Sequence, residues 1–241
     1  MRTQILCVLK LSLLLNSLLF VFPAMSEYKP PTTQKPPSDY TKSGGVRGCP
    51  EERIPLTILS PTTHIGQTAS RRPTFAWYLY SAHNTEFRLF EFEQNGRPKQ
   101  LGKPINLQAS KGINKYSLLE NYPELAIGKK YLWQISISCP DMPGASLIQR
   151  AEFTVVEMPS FKNKQPITQN SSQKANFYAQ QGLWYDALSE ALKLSKEGKL
   201  GEVGSTLVLS LAQSEEKAAT SNQQELQQRI ENLKMIANQE K

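Results

Sequence analysis

The pattern of apolar and polar positions changes character along the chain, and each change predicts a different kind of structure. Residues 11–22 are apolar apart from Ser12, Asn16 and Ser17. Residues 54–156 break into short runs in which apolar and polar positions alternate, the period of a strand with one buried face. From Ala175 onward apolar residues recur every three or four positions, the period of a helix with one buried face. Two polar, proline-containing stretches, 27–48 and 159–174, separate these regions and read as linkers. The predicted division is a leader at 1–26, a Pro-rich linker at 27–48, a β domain at 49–158, a second linker at 159–174 and a helical region at 175–241.

The clearest strand is 131–139. Tyr131, Trp133, Ile135, Ile137 and Cys139 share one face, and Gln134, Ser136 and Ser138 the other. Residues 74–80 put Phe75, Trp77 and Leu79 on one face, with Pro73 confined to the strand's start or an edge. Further strands are expected at 54–59, 87–93 and 148–156, and weaker ones at 103–107 and 116–119. Asn95-Gly96 follows the 87–93 run and accepts the positive φ angles of a tight hairpin turn. Several short strands separated by turn signals favour a sandwich over a parallel sheet. Leu125 stands six residues before Tyr131, which opens the best strand. This spacing resembles the tyrosine corner of fibronectin type III and related immunoglobulin-like sandwiches. The resemblance implies that the Tyr131 phenol reaches back to a backbone group.

In the helical region, Ala175, Tyr178, Ala179 and Gly182 form one stripe and Trp184, Leu188, Ala191 and Leu192 a second. The run from Tyr178 through Gly182 to Leu188 resembles the helix–turn–helix of a tetratricopeptide repeat. One such hairpin cannot bury its own face, so it docks on the sandwich or on later helices. Those are expected at 205–213 and 221–237. The last carries Leu226, Ile230, Leu233 and Ala237 in a stripe, with Glu225 and Arg229 spaced for an i,i+4 ion pair. The expected fold is therefore mainly β: an immunoglobulin/fibronectin-III-like β-sandwich followed by an α-helical tail with one tetratricopeptide-like hairpin.

The leader changes the picture most. Arg2 and Lys10 give it a positive start, its apolar run is shorter than the roughly 20 residues of a spanning helix, and Ala24-Met25-Ser26 supplies small residues for a peptidase. It reads as an export signal cleaved after Ser26. The mature chain is then periplasmic or extracellular, with no transmembrane segment. The formal charge is +7, of which Arg2 and Lys10 contribute two and the leader holds no acid, leaving +5. The positive residues are scattered, in Arg71-Arg72, Lys129-Lys130 and Lys162/Lys164, as on ordinary solvated surface. No nucleic-acid motif is present. Cys7 leaves with the leader. Cys49 and Cys139 remain, and two thiols in an exported chain favour a disulfide, which would stabilise the fold by about 4–5 kcal/mol in the chain-entropy model.

Several motifs in order resemble one family. They are the export signal, the Pro-rich lead, Gly48-Cys49-Pro50, the Pro73-Thr74-Phe75-Ala76-Trp77-Tyr78 strand, Gly128-Lys129-Lys130-Tyr131-x-Trp133 running into Cys139, and the Gly182-to-Leu188 turn. The family is the cyanobacterial domain of unknown function 928, and the resemblance runs from about Cys49 to the end of the third helix. It implies a cyanobacterial envelope or secreted protein. It carries no established activity and so brings no catalytic residue.

Candidate chemistry is sparse. His64 and His83 are the only histidines, and neither has a second ligand at metal-like spacing, so both read as surface or turn residues. No nucleophile elbow occurs, and Gly44-Gly45, Gly201 and Gly204 lack the context of a phosphate loop. Asp141, Asp186, Glu91 and Glu93 are scattered, with Glu91 and Glu93 the nearest approach to a carboxylate pair. No catalytic residue, metal or cofactor is expected. Trp77 and Trp133 read as core. Tyr78, Tyr80, Phe90 and Phe92 alternate opposite that core face and form the candidate contact surface, either for the C-terminal helices or for a partner. The expected function is an exported, non-catalytic module of the cell envelope or secreted space that binds a protein or glycan. The alternatives are a carbohydrate-active or other hydrolytic envelope enzyme, or a peripheral membrane or adaptor protein acting through residues 226–237.

Overall fold

The computed structural model describes residues 27–33, 35–41, 44–45, 52–120, 122–139, 145–158, 170–219 and 224–241. The expected leader, Cys49, Asp141 and most of the second linker lie outside these residues. The chain is mainly β, followed by C-terminal helices. Among the described residues, nine strands run from β1 (Gly44–Gly45) through β2 (Thr57–Ile58), β3 (Gly66–Thr68), β4 (Thr74–Leu79), β5 (His83–Phe92), β6 (Pro98–Ala109), β7 (Gly112–Ser117) and β8 (Lys130–Ser138) to β9 (Ser146–Val155). The helices described after them are α1 (Ser171–Gln180), α2 (Trp184–Leu192), α3 (Gly201–Ala218) and α4 (Gln224–Gln239).

The strands form two sheets. The larger has the order β1-β9-β8-β5-β6, antiparallel throughout, with β3 joining β9 in parallel. The smaller is β2-β4-β7, also antiparallel. The predicted alternation on β8 holds: Tyr131, Trp133, Ile135 and Ile137 point inward, none more than 4 % exposed. Phe75 of the small sheet meets Phe87, Trp133 and Phe153 of the large one, with ring centroids 5.1–5.4 Å apart. Trp77 and Trp133 are core, as the alternation predicts. β5 and β6 are joined at Asn95-Gly96, where Gly96 takes φ 77° and donates to Glu93 O at 2.9 Å. The Tyr131 hydroxyl accepts from the Ala126 amide at 2.9 Å, the backbone contact expected of it.

The differences from the sequence reading have local causes. Residues 54–59 pair only at Thr57–Ile58, because Pro55 donates no hydrogen bond, although Ile54, Leu56, Ile58 and Leu59 are fully buried. β3 is three residues with a glycine and no periodicity to read. Helix α1 begins at Ser171, capped by the Asn170 side chain, which accepts from the Gln173 amide at 3.1 Å. Helix α3 starts at Gly201, earlier than expected, because Gly201 and Gly204 weakened the local signal. In α4, Ile230, Leu233 and Ala237 are buried as the stripe predicts. Arg229, expected to pair with Glu225, pairs instead with Glu215 of α3 at 2.9 Å.

The helices pack against β2, β3 and β4. The Pro-rich lead is not separate from the body. Residues 27–33 and 35–41 cross it as a strap that turns at Thr32-Thr33 and ends in a 3-10 helix at Asp39–Thr41, with Lys29 donating to Ala179 O at 3.0 Å and Lys35 O accepting from Ile65 at 3.1 Å. Tyr28 is 1 % exposed.

Candidate functional site

The four aromatics expected to form a contact surface do not come together. Tyr78 on β4 is 1 % exposed, lying on the face covered by the helical region. Burial raises its pKa, and the nearby Glu240 adds to that. Tyr80, just past the same strand, is half open, with the Lys111 ammonium 5.4 Å from its ring centre. Phe92 ends β5 and is covered by the Lys130 ammonium at 3.7 Å and by the edge of Tyr40. Phe90 is half-buried on the outer face of the large sheet. One of the four thus docks the helices, one is capped by the lead, and two remain partly open on different sheets.

Where the helices meet the two sheets, α2 supplies consecutive anchors. The Trp184 indole N–H donates to Leu59 O at 2.9 Å. Tyr185 enters between the sheets beside Phe75 and Phe153. Its hydroxyl accepts from the Trp133 indole at 3.1 Å and hydrogen-bonds Ser60 Oγ at 2.7 Å. Burial pushes its pKa far above the usual range. Asp186 accepts from the Ala69 and Ser70 amides at 2.9 and 3.1 Å, and burial still raises its pKa.

Glu215, fully buried, accepts from the Thr62 amide at 2.7 Å, the Thr62 hydroxyl at 2.9 Å and Arg229 Nε at 2.9 Å. Arg229 also donates to Ile58 O at 3.1 Å and Ser60 O at 2.6 Å. One ion pair therefore joins α3, α4 and the β2–β3 segment.

The lead is held in the same manner. The Tyr28 amide donates to Ser210 Oγ at 2.6 Å, its ring meets Trp184 edge-on at 5.0 Å, and its hydroxyl hydrogen-bonds His64 Nε2 at 2.9 Å. Burial raises the Tyr28 pKa strongly and lowers that of His64, against a smaller opposing pull from Glu215. His64, expected at the surface or in a turn, is 2 % exposed, because the lead covers it. At the other end of the strap, Glu152 accepts from the Ser38 amide at 2.9 Å, the Ser38 hydroxyl, the Thr41 hydroxyl at 3.1 Å and Lys130 at 3.0 Å.

The remaining polar cluster is Glu52, Ser81 and His83. Ser81 Oγ lies 3.0 Å and Glu52 Oε1 3.5 Å from the same ring nitrogen, His83 Nε2. A nucleophile relay needs the serine and the acid on opposite nitrogens, so this trio is not arranged as one. Glu91 and Glu93 do not share a cleft. Glu91 pairs with Lys129 at 3.1 Å and Glu93, in the hairpin turn, with Lys99 at 3.7 Å, all partly exposed. Among the described residues, no three His, Cys, Asp or Glu side chains gather as metal ligands, and no helix is long and apolar enough to cross a membrane. Cys139 is 5 % exposed at the end of β8.

A partly open polar row remains among the described residues. On the outer face of the large sheet, Arg88, Gln134 and Arg150 stand in register across β5, β8 and β9. Arg150 Nε donates to Gln134 at 2.7 Å, and Arg88 donates to Glu86 and Gln100. Phe90 and Leu132 make the next row. Sequence reasoning missed this row because arginine and glutamine on the polar face of a strand look like ordinary solvated residues.

Comparison with protein families matches residues 42–225 to the family described as Domain of Unknown Function (DUF928). No curated protein matches the chain. The match spans most of the sequence, and the chain belongs to this family.

Proposed function

We propose that this protein is an exported, non-catalytic binding module of the cell envelope or secreted space, which engages a protein or glycan through the outer face of its large sheet. The observation that carries this reading is the Arg88–Gln134–Arg150 row with Phe90 beside it, in which two half-buried guanidinium groups and an aromatic ring flank a buried amide. Such a set suits hydrogen-bond and stacking recognition of a polar, preferably acidic, partner. The buried ionisable groups support the non-catalytic reading in a positive way. Glu152, Asp186, Glu215 and His64 are each engaged in joining one segment to another. Within this reading the sandwich is immunoglobulin-like, supported by the Tyr131–Ala126 contact, and α1–α2 is a tetratricopeptide-like hairpin, supported by the Gly182 turn.

The test is affinity capture from native envelope material by the wild-type chain and by an Arg88→Glu/Arg150→Glu variant with an unchanged melting curve. Capture that depends on the two arginines supports the proposal. Equal capture by both chains, or turnover of a defined envelope substrate by the purified protein, sinks it.

A further inference from the structure

We propose that the channel occupied by residues 28–33 and 35–38 is a peptide-binding groove, taken here by the chain's own lead. Its ligand in trans is an extended segment of another protein carrying Tyr-x-Pro-Pro. The lead displays the recognition chemistry. Tyr28 fills an aromatic pocket between Trp184 and His64, with its amide on Ser210 and its hydroxyl on His64 Nε2. The Lys29 amide donates to Ala179 O, a carbonyl in the last turn of α1. Pro30-Pro31 then passes over Gly182, where a Cβ would sit 3.1 Å from Lys29 O and 3.2 Å from the Pro31 ring. Gly182 takes φ 78°, so a side chain there is excluded by conformation as well as by space. Beyond it, the Ile65 amide holds Lys35 O, and Glu152 holds Ser38. Prolines keep such a segment extended before it binds, which lowers the entropy cost of docking.

Two further observations separate the groove from its present occupant. The family match begins at residue 42, so every wall residue named above lies inside it and the whole lead lies outside. A cavity of about 210 Å³, open to one side, also lies along the lead, lined by Pro31, Thr33, Lys35, Ile65, Gln67 and Thr154.

The occupant in trans is another protein and not a second copy. A tethered lead acts at an effective concentration of order millimolar, so an identical lead on a second chain at micromolar concentration loses to it. A partner must carry a better-fitting version, and the lead then acts as its built-in competitor.

The experiment uses the full mature chain and a fluorescent peptide of residues 27–38, read by anisotropy. The wild-type chain should bind it only at millimolar concentration, because its own lead competes. The Tyr28→Ala chain should bind at least tenfold tighter and recover melting temperature on doing so. A peptide with the tyrosine replaced by alanine should bind neither chain. Lys29→Pro, which deletes the amide donated to Ala179 and keeps the Tyr28 side chain, is the second variant should Tyr28→Ala fail to fold. It should shift affinity in the same direction by a smaller factor. Folded variants that bind neither peptide at millimolar concentration, or bind both equally, overturn the groove. A wild-type chain that dimerises at micromolar concentration by exchanging leads overturns the choice of occupant.

Discussion

Replacing Glu215 by alanine should destabilise the protein by about 3–5 kcal/mol, the usual cost of leaving one member of a buried ion pair alone. The structure says where that cost arises. Arg229 is only 13 % exposed at its side chain and would keep Ile58 O and Ser60 O as acceptors but lose its counter-charge. The Thr62 amide and hydroxyl lose their acceptor as well. Arg229→Ala should be worse. It leaves a carboxylate with no side-chain exposure held only by Thr62, and it strips both carbonyls of their donor. For a chain of this length each kcal/mol lowers the melting temperature by about 2–4 °C, so drops of roughly 6–20 °C are expected.

The double variant Glu215→Leu/Arg229→Met removes both charges together. It still leaves the Ile58 and Ser60 carbonyls and the Thr62 amide without their partners, so it is not neutral. It should nevertheless cost clearly less than the two single changes added. Thermal and urea melts of the four chains close the cycle. Costs below about 1 kcal/mol for either single change, or a double change equal to their sum, would refute the claim that this pair seats α3 and α4 on the β2–β3 segment.

His64 is held neutral by burial, its folded pKa lying below the ordinary 6.5. The unfolded chain therefore binds the extra proton first, so stability is complete above about pH 6.5 and declines as pH falls toward the folded value. Melts between pH 5 and 7.5 should show a shallower decline for His64→Gln, and an identical slope would refute the assignment. Gly66→Ala puts a Cβ 2.9 Å from Tyr185 Cε2, so overpacking should cost about 1–3 kcal/mol, a penalty largely erased in a Tyr185→Leu background. In the exported form we propose, Cys49 and Cys139 are joined, and thiol labelling under denaturing, non-reducing conditions should modify neither. Labelling of both would remove the disulfide. A chain ending at residue 223 loses Ile230, Leu233 and Ile236, each fully buried and worth about 2–5 kcal/mol on truncation. It should unfold, read by circular dichroism, whereas an adaptor tail acting independently would leave the fold intact.

Much of the architecture was legible because period reports directly on burial. Trp133 and its neighbours alternate cleanly, and Ile230, Leu233 and Ala237 recur at helical spacing, so strand β8 and helix α4 could be read from residue type alone. Asn95-Gly96 gave the hairpin through its backbone preference. What stayed hidden was pairing between distant segments. Glu215 meets Thr62 across 153 residues, Tyr28 meets Ser210 across 182, and Ser38 meets Glu152 across 114. Nothing local marks these residues. Tyr28 stands among prolines and polar residues that look like linker, and its burial depends on a pocket assembled from α2, α3 and the β2–β3 segment.

Those long-range polar contacts settle a question that apolar periodicity leaves open. Hydrophobic burial is non-directional, so the stripes on α2 and α4 say that the helices need a cover but not where they sit. The buried groups supply direction. The Trp184 indole bonds one carbonyl, Leu59 O, the Tyr185 hydroxyl meets Trp133 and Ser60, and Arg229 takes Ile58 O and Ser60 O. All converge on residues 58–62, a stretch with almost no ladder of its own beyond Thr57–Ile58. A shift of α2 or α4 by one turn would strand several of these partners in apolar surroundings, at about 1–3 kcal/mol each. The described sheets, helices and lead are therefore tied into one body by directional contacts. Under the groove proposal, the lead is the part of this body that leaves while the sheets and helices stay together.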